Sequence, residues 1–435
     1  MKIVVDTKTL YSIKWFVLTC GFIVLSAVLL FIPDQYKGSP NIFLASVFGI
    51  VYIAVISFMF FKCKINLLYP MIIISLGTIA ALAARACLFY FFSSENDSTL
   101  NNLILHIAAQ KNNPFFAKTG EYSLIYSYIV FLVFKLPDEI NLYTVKMLSV
   151  CCDLITAIFI YYIVMHFTKR LYLSIFAYIS ALFVPTMLLN GAFLGQNDSI
   201  WVMFCIASLY FAFAKKPMLT VIMYALAITL SFYAILFLPV FILFYFLKMI
   251  KIKDLFIIPL VYFLPIIPAV IFGPPILTAL SVSLGNSSAA SPSLYLLLRM
   301  DYYPLFYSFG LIACLTALLF AMFYFLAYIN MLKHTMLIEA AFILTFIGAF
   351  LFPNISVSGF LIADILALTV FILNKKRWYV PFVTILVSFN CYVYMSMGHT
   401  YLFNPVYASL ACIVLIGFFA HNVYISTYGQ VSSLH

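Results

Sequence analysis

The densest set of chemically capable groups lies halfway along an apolar chain, in Asn190-Gly191-Ala192-Phe193-Leu194-Gly195-Gln196-Asn197-Asp198-Ser199, closed by Trp201. Only thirteen Asp and Glu occur in 435 residues, so a carboxylate here has a cost to explain. A carboxylate beside an amide and two glycines, at the mouth of an apolar hairpin, reads as a site. The competing reading is a helix N-cap, with Asn197, Asp198 or Ser199 opening the helix of residues 199–214. Capping and ligand binding are compatible.

Other polar groups are few enough to weigh singly. Asp153, Glu339 and Asp364 fall inside apolar runs. An ionisable residue at membrane depth is a functional hypothesis by default, and helix–helix adhesion is its plainer reading. Asp153 follows Lys146 by two helical turns, so the two share a face and can pair through an intervening polar group. Glu339 can reach along its helix towards Lys333, and Asp364 lies about three turns beyond a tip at Pro353. Glu95 and Asp97 sit in a polar stretch with Lys111, Lys118 and Glu121, while Arg85 and Arg299 lie beside apolar runs. Arg offers a planar fork and Lys a point charge, both suited to phosphate oxygens. His106 and His399 are too isolated to suggest a metal site.

The elements that must position these groups follow from composition. Hydrophobic residues make up 66% of the chain and charged residues 8%, against about a quarter charged in soluble proteins. Runs of about 15–28 apolar residues suit helices crossing about 30 Å of hydrocarbon. Backbone groups in lipid must bond internally, so the expected fold is all-α, a polytopic transmembrane bundle of about 11–14 helices. The net charge of +10 sits in short clusters between apolar runs, which excludes a nucleic-acid-binding surface and marks a cytoplasmic face. Nine cysteines show no ligand spacing, which argues against disulfides and structural zinc. The first apolar run lacks a small-residue cleavage site and reads as a retained helix.

Lys2, Lys8 and Lys14 place the N-terminus inside, and a helix near 68–92 leads to an outer loop 93–121. Clusters at Lys169/Arg170, Lys215/Lys216, Lys248/Lys251/Lys253, Lys333/His334 and Lys375/Lys376/Arg377 alternate with four outward tips. The tips are Gly195–Ser199, Ser231–Tyr233, the loop 273–303 and Pro353–Gly359. Two apolar runs, 122–136 and 142–167, break this parity. A short re-entrant or interfacial segment at 122–136 restores it, as does a short extra helix elsewhere.

With this order of elements the chain resembles the GT-C superfamily of integral-membrane glycosyltransferases, over roughly residues 80–375. Arg85 leading to Asp97, Gly120-Glu121-Tyr122 opening a short helix, and Lys146 with Asp153 on the next helix follow the family's order. Asn190 with Gly195, Gln196 and Asp198 resembles the Asn-x-x-x-x-Gly-Gln-x-Asp tip of its mannosyltransferase-like branch. The late His-Glu-Arg tip of that branch is replaced by Pro353-Asn354-Ile355-Ser356-Val357-Ser358-Gly359. The resemblance implies a catalytic core over 67–375 with an outer-face cavity, an extra hairpin over 1–66 and further helices over 376–435.

It also implies transfer of a sugar from a polyprenyl-phosphate donor to a glycan or lipid-linked acceptor, with inversion and no firmly implied cofactor. A divalent cation finds no support in the residues. Asp97 would be the general base and Glu95 its second choice. Gln196, Asp198 and Asn190 would hold hydroxyls, and Arg299 or Lys118 the phosphate, with Arg85, Glu121, Lys146 and Asp153 also lining the site. The rivals are a transporter or flippase of a lipid-linked sugar and a non-catalytic scaffold. Sequons at Asn96, Asn197, Asn286 and Asn354 fall on the outer side, where glycans would block the cavity; this points to a bacterial plasma membrane, with lipids as immediate partners.

Overall fold

The computed structural model describes residues 7–30, 40–63, 65, 67–91, 123–134, 138–267, 271, 291–298, 304–328, 334–353, 355–396 and 401–431. Every regular element among them is helical. In chain order these are α1 (Thr7–Leu30), α2 (Pro40–Lys62), α3 (Leu68–Phe91), α4 (Leu124–Phe134), α5 (Asp138–Thr168) and α6 (Leu171–Leu182). Then come α7 (Pro185–Phe193), α8 (Asp198–Phe213), α9 (Pro217–Leu230), α10 (Leu238–Phe246), α11 (Ile257–Phe263) and α12 (Leu294–Leu298). The chain closes with α13 (Pro304–Ala327), α14 (His334–Leu351), α15 (Leu361–Leu373), α16 (Tyr379–Ser396) and α17 (Pro405–Val431).

Among the described residues, six helices are long and apolar enough to cross a membrane, or seven if the bent pair α6–α7 counts as one span. The chain is a multi-pass membrane protein. Further apolar helices of 10–17 residues include Asp198–Phe213, Pro217–Leu230, Thr335–Leu351 and Val357–Leu373. α4, at 11 residues, is about 16 Å long and reaches about half the hydrocarbon thickness.

Sequence chemistry sets the helix ends. Pro185, Pro217, Pro304 and Pro405 each open a helix, where the missing N–H would have no partner anyway. The opposite ends of α5, α8 and α10 stop at Lys169, Lys215 and Lys248, with φ of 54°, 57° and 57°. Lys216 N–H bonds the Phe211 carbonyl at 3.0 Å and Met249 N–H that of Phe244 at 2.9 Å, closing two Schellman turns. Lysine therefore occupies the left-handed position that glycine usually takes.

Burial identifies the centre. In α5, 72% of the span is buried, against 22% in α13. α5 is the axis of the bundle, packed by α6, α8 and α2, and α13 lies at its lipid-facing edge. Lys146, Ser149 and Asp153 recur at three- and four-residue spacing, so they form one polar stripe on α5. On α3, Ser75, Thr78 and Arg85 form a matching buried stripe. At 1.5 Å per residue, Arg85 stands about 26 Å up α3 from Leu68, and Asp153 about 23 Å up α5 from Thr168. The two meet at one depth.

Candidate functional site

The island lies where two apolar helices fail to join. After Leu182 the chain bends by 43°, runs through Pro185, and widens into a π-helical turn over Leu188–Phe193. Gly195, at φ 64°, turns it back towards α8. Breaks of this kind leave carbonyls without intrahelical partners, and buried cations take two of them. Arg85 Nη1 donates to the Leu182 carbonyl at 3.1 Å, and Lys146 Nζ to that of Phe193 at 3.0 Å. Ser149 Oγ donates to the Gln196 carbonyl at 2.7 Å. The polar stripes of α3 and α5 hold the broken hairpin.

Asn190 is the hub of the side-chain network. Its Nδ2 lies 2.8 Å from Gln196 Oε1, 3.2 Å from Asp198 Oδ2 and 3.0 Å from the Tyr392 hydroxyl of α16. Ser199 Oγ lies 3.5 Å from Asn190 Oδ1. Asp198 Oδ1 accepts from Trp201 Nε1 at 3.0 Å, and Ser358, from the turn after Pro353, faces this carboxylate. Three separate parts of the chain thus converge on one carboxylate. Gly191 makes this approach close: a Cβ there would sit 3.3 Å from Asp153 Oδ2 and 3.3 Å from Ser149 Cβ.

Beside the hub, Arg85 Nη2 and Asp153 Oδ2 form an ion pair at 3.1 Å, with both side chains fully buried. Lys146 also lies over the Phe89 ring, 5.9 Å from its centroid. Asn190, Asp198, Ser199, Arg85, Asp153 and Lys146 are all buried. Of the island's polar side chains only Gln196 and Asn197 are half-exposed. The cluster is closed, and its contact with solvent or ligand runs through those two amides.

Six expected site residues therefore come together: Arg85, Lys146, Asp153, Asn190, Gln196 and Asp198. Asp97, Glu95, Lys118, Glu121 and Arg299 lie outside the described residues. Asp153 takes Arg85, and Lys146 donates to the Phe193 carbonyl of the island. One expectation needs correction. Asp198 is the first residue of α8, its N-cap is Asn197, and no side-chain cap bond forms there; Asp198 is turned instead to Trp201 and Asn190. Glu339 pairs with Arg377 at 3.4 Å and with Asn374 at 3.1 Å, and Lys333 lies outside the described residues. Sequence reading missed Tyr392, Ser358 and Ser149 as partners in the site. Tyr392 is one of 31 tyrosines and carries no spacing signal.

No group of three or more His, Cys, Asp or Glu that could hold a metal ion occurs among the described residues. Comparison of the chain with protein-family models and with curated proteins finds no match.

Proposed function

We propose that the protein is a membrane glycosyltransferase that moves a sugar from a polyprenyl-phosphate donor to an acceptor hydroxyl at the membrane surface. The observation that carries this reading is the convergence of α3, α5 and the island. The segment 92–122, which holds Asp97, is attached to α3 on one side and to α4 and α5 on the other. On α3 and α5, Arg85 and Lys146 grip the island directly. Asp97 follows the end of α3 in sequence, and Gln196 and Asn197 are the half-exposed amides of the cluster.

In the transfer, the acceptor O–H loses its proton to Asp97 as its oxygen attacks the sugar's anomeric carbon. The bond from that carbon to phosphate breaks, and polyprenyl phosphate leaves with the electron pair, stabilised by Arg299 or Lys118. One carboxylate base suffices for this inverting displacement. Gln196 and the Asp198 network position hydroxyls. The resemblance to the GT-C superfamily supports the same assignment, as does the bacterial plasma-membrane reading of the sequons.

A second reading has its own observation. The α6–α7 break and the buried carboxylates fit a transporter of a lipid-linked sugar, since broken helices and intramembrane charges line transport paths. Reconstitution in liposomes with a fluorescent polyprenyl-phosphate sugar and a soluble glycan acceptor separates the two. Transfer with release of polyprenyl phosphate, reduced about 100-fold or more by Asp97→Asn without loss of folded protein, is the expected result. Translocation without cleavage would overturn it in favour of transport.

A further inference from the structure

A further buried carboxylate lies behind the island, on a different helix. Asp364 of α15 is fully buried, and its Oδ1 accepts from Ser388 Oγ of α16 at 3.0 Å. Its Oδ2 has no hydrogen-bond partner, and neither has the Thr186 hydroxyl, which faces the same carboxyl from the α7 turn. Thr186 is also fully buried. Among the described residues no Lys, Arg or His pairs with Asp364. The remaining titratable neighbours are Tyr392 and Cys391 of α16 and Cys412 of α17, with Asp198 beyond Tyr392.

An ionised carboxylate in such surroundings would be an uncompensated charge in a medium that penalises it heavily. Two orphan oxygens from two elements are too few for a metal cation, which takes about six oxygens where the ligands are hard. They are the right number for one O–H···O bond: a carboxylic acid proton on Oδ2 given to Thr186 Oγ1. Asp198 is built in the opposite way, since its two oxygens receive N–H bonds from Asn190 and Trp201. Two carboxyls flank Tyr392 with contrasting surroundings, the arrangement that separates an acid from its conjugate base.

We propose that Asp364, Ser388 and Thr186 form a buried proton-binding site, in which Asp364 is a neutral acid while Asp198 across Tyr392 carries the charge. The inference does not depend on the transfer reaction; it would hold in a transporter as well. The bound proton ties the α7 turn to α15 and α16, next to the hub that holds the island.

Infrared spectroscopy on the full-length protein in detergent, with ¹³C-labelled aspartate, tests the assignment. At neutral pH wild type should show the carbonyl band of a protonated, isotope-shifted carboxyl, and Asp364→Asn should lose it. Asparagine reproduces the neutral acid's acceptor and donor, so this variant should melt within about 2 °C of wild type, whereas Asp153→Asn, which strands Arg85, should melt about 6 °C lower or more. Absence of the band, its persistence in Asp364→Asn, or an Asp364→Asn variant that melts as low as Asp153→Asn or fails to fold would each overturn the proposal.

Discussion

At the residue scale, the sharpest consequence concerns the Arg85–Asp153 pair. Both charges are out of contact with solvent and lipid headgroups, so removing one leaves the other uncompensated. Asp153→Asn should cost about 3 kcal/mol, while the double variant Arg85→Leu/Asp153→Leu should be less damaging than either single change. Thermal unfolding in detergent, followed by a fluorescent thiol probe, checks this order; a double variant worse than both singles would contradict it. Gly191 sets a second test. Its Cβ position touches Asp153 and Ser149, so Gly191→Val should cost about 1–3 kcal/mol through overpacking, read as a lower melting temperature in the same unfolding assay. Arg85, Asp153, Lys146 and the island were legible in sequence because each is a polar residue in apolar surroundings. Their partners were not. Which charge meets which depends on the depth at which α3 and α5 cross, and no local spacing encodes that.

At the element scale, the chain uses lysine as a helix terminator. Lys248 pays a left-handed backbone to close the Schellman turn of α10. A β-branched residue fits that conformation poorly, and glycine fits it without strain. Lys248→Gly should therefore fold as well as wild type, while Lys248→Val should lose about 1–2 kcal/mol. Denaturation midpoints of the two variants give the comparison, and equal midpoints would show that the turn is not limiting. The helices themselves were readable from apolar run length. The subdivision of those runs was harder, because a π-helical turn such as Leu188–Phe193 leaves no hydrophobic gap. Only the Pro185, Gly191 and Gly195 punctuation hinted at it.

At the scale of the whole molecule, the basic ends of α5, α8 and α10 define one face and the island the other. Single-cysteine labelling in intact cells tests that polarity on a chain whose native cysteines have been replaced. A membrane-impermeant maleimide should label Asn404→Cys from outside, and Lys215→Cys only after permeabilisation. The reverse pattern would invert the fold in the membrane and move the island to the cytoplasm. A side-chain pin between α14 and α17 belongs to this scale too. Arg377 meets Glu339 and also lies 5.3 Å from the Phe419 ring centroid, so one side chain joins α14 and α17 near the basic face.

The three left-handed lysines have a consequence for biogenesis. In each, the residue that ends the helix is also a positive charge of the kind that orients membrane helices, so the stop signal and that charge cannot drift apart by insertion or deletion. A nascent hairpin such as α8–α9, emerging from the ribosome with Lys215 and Lys216 at its bend, would present its anchor and its fold-back to the insertion machinery in the same instant.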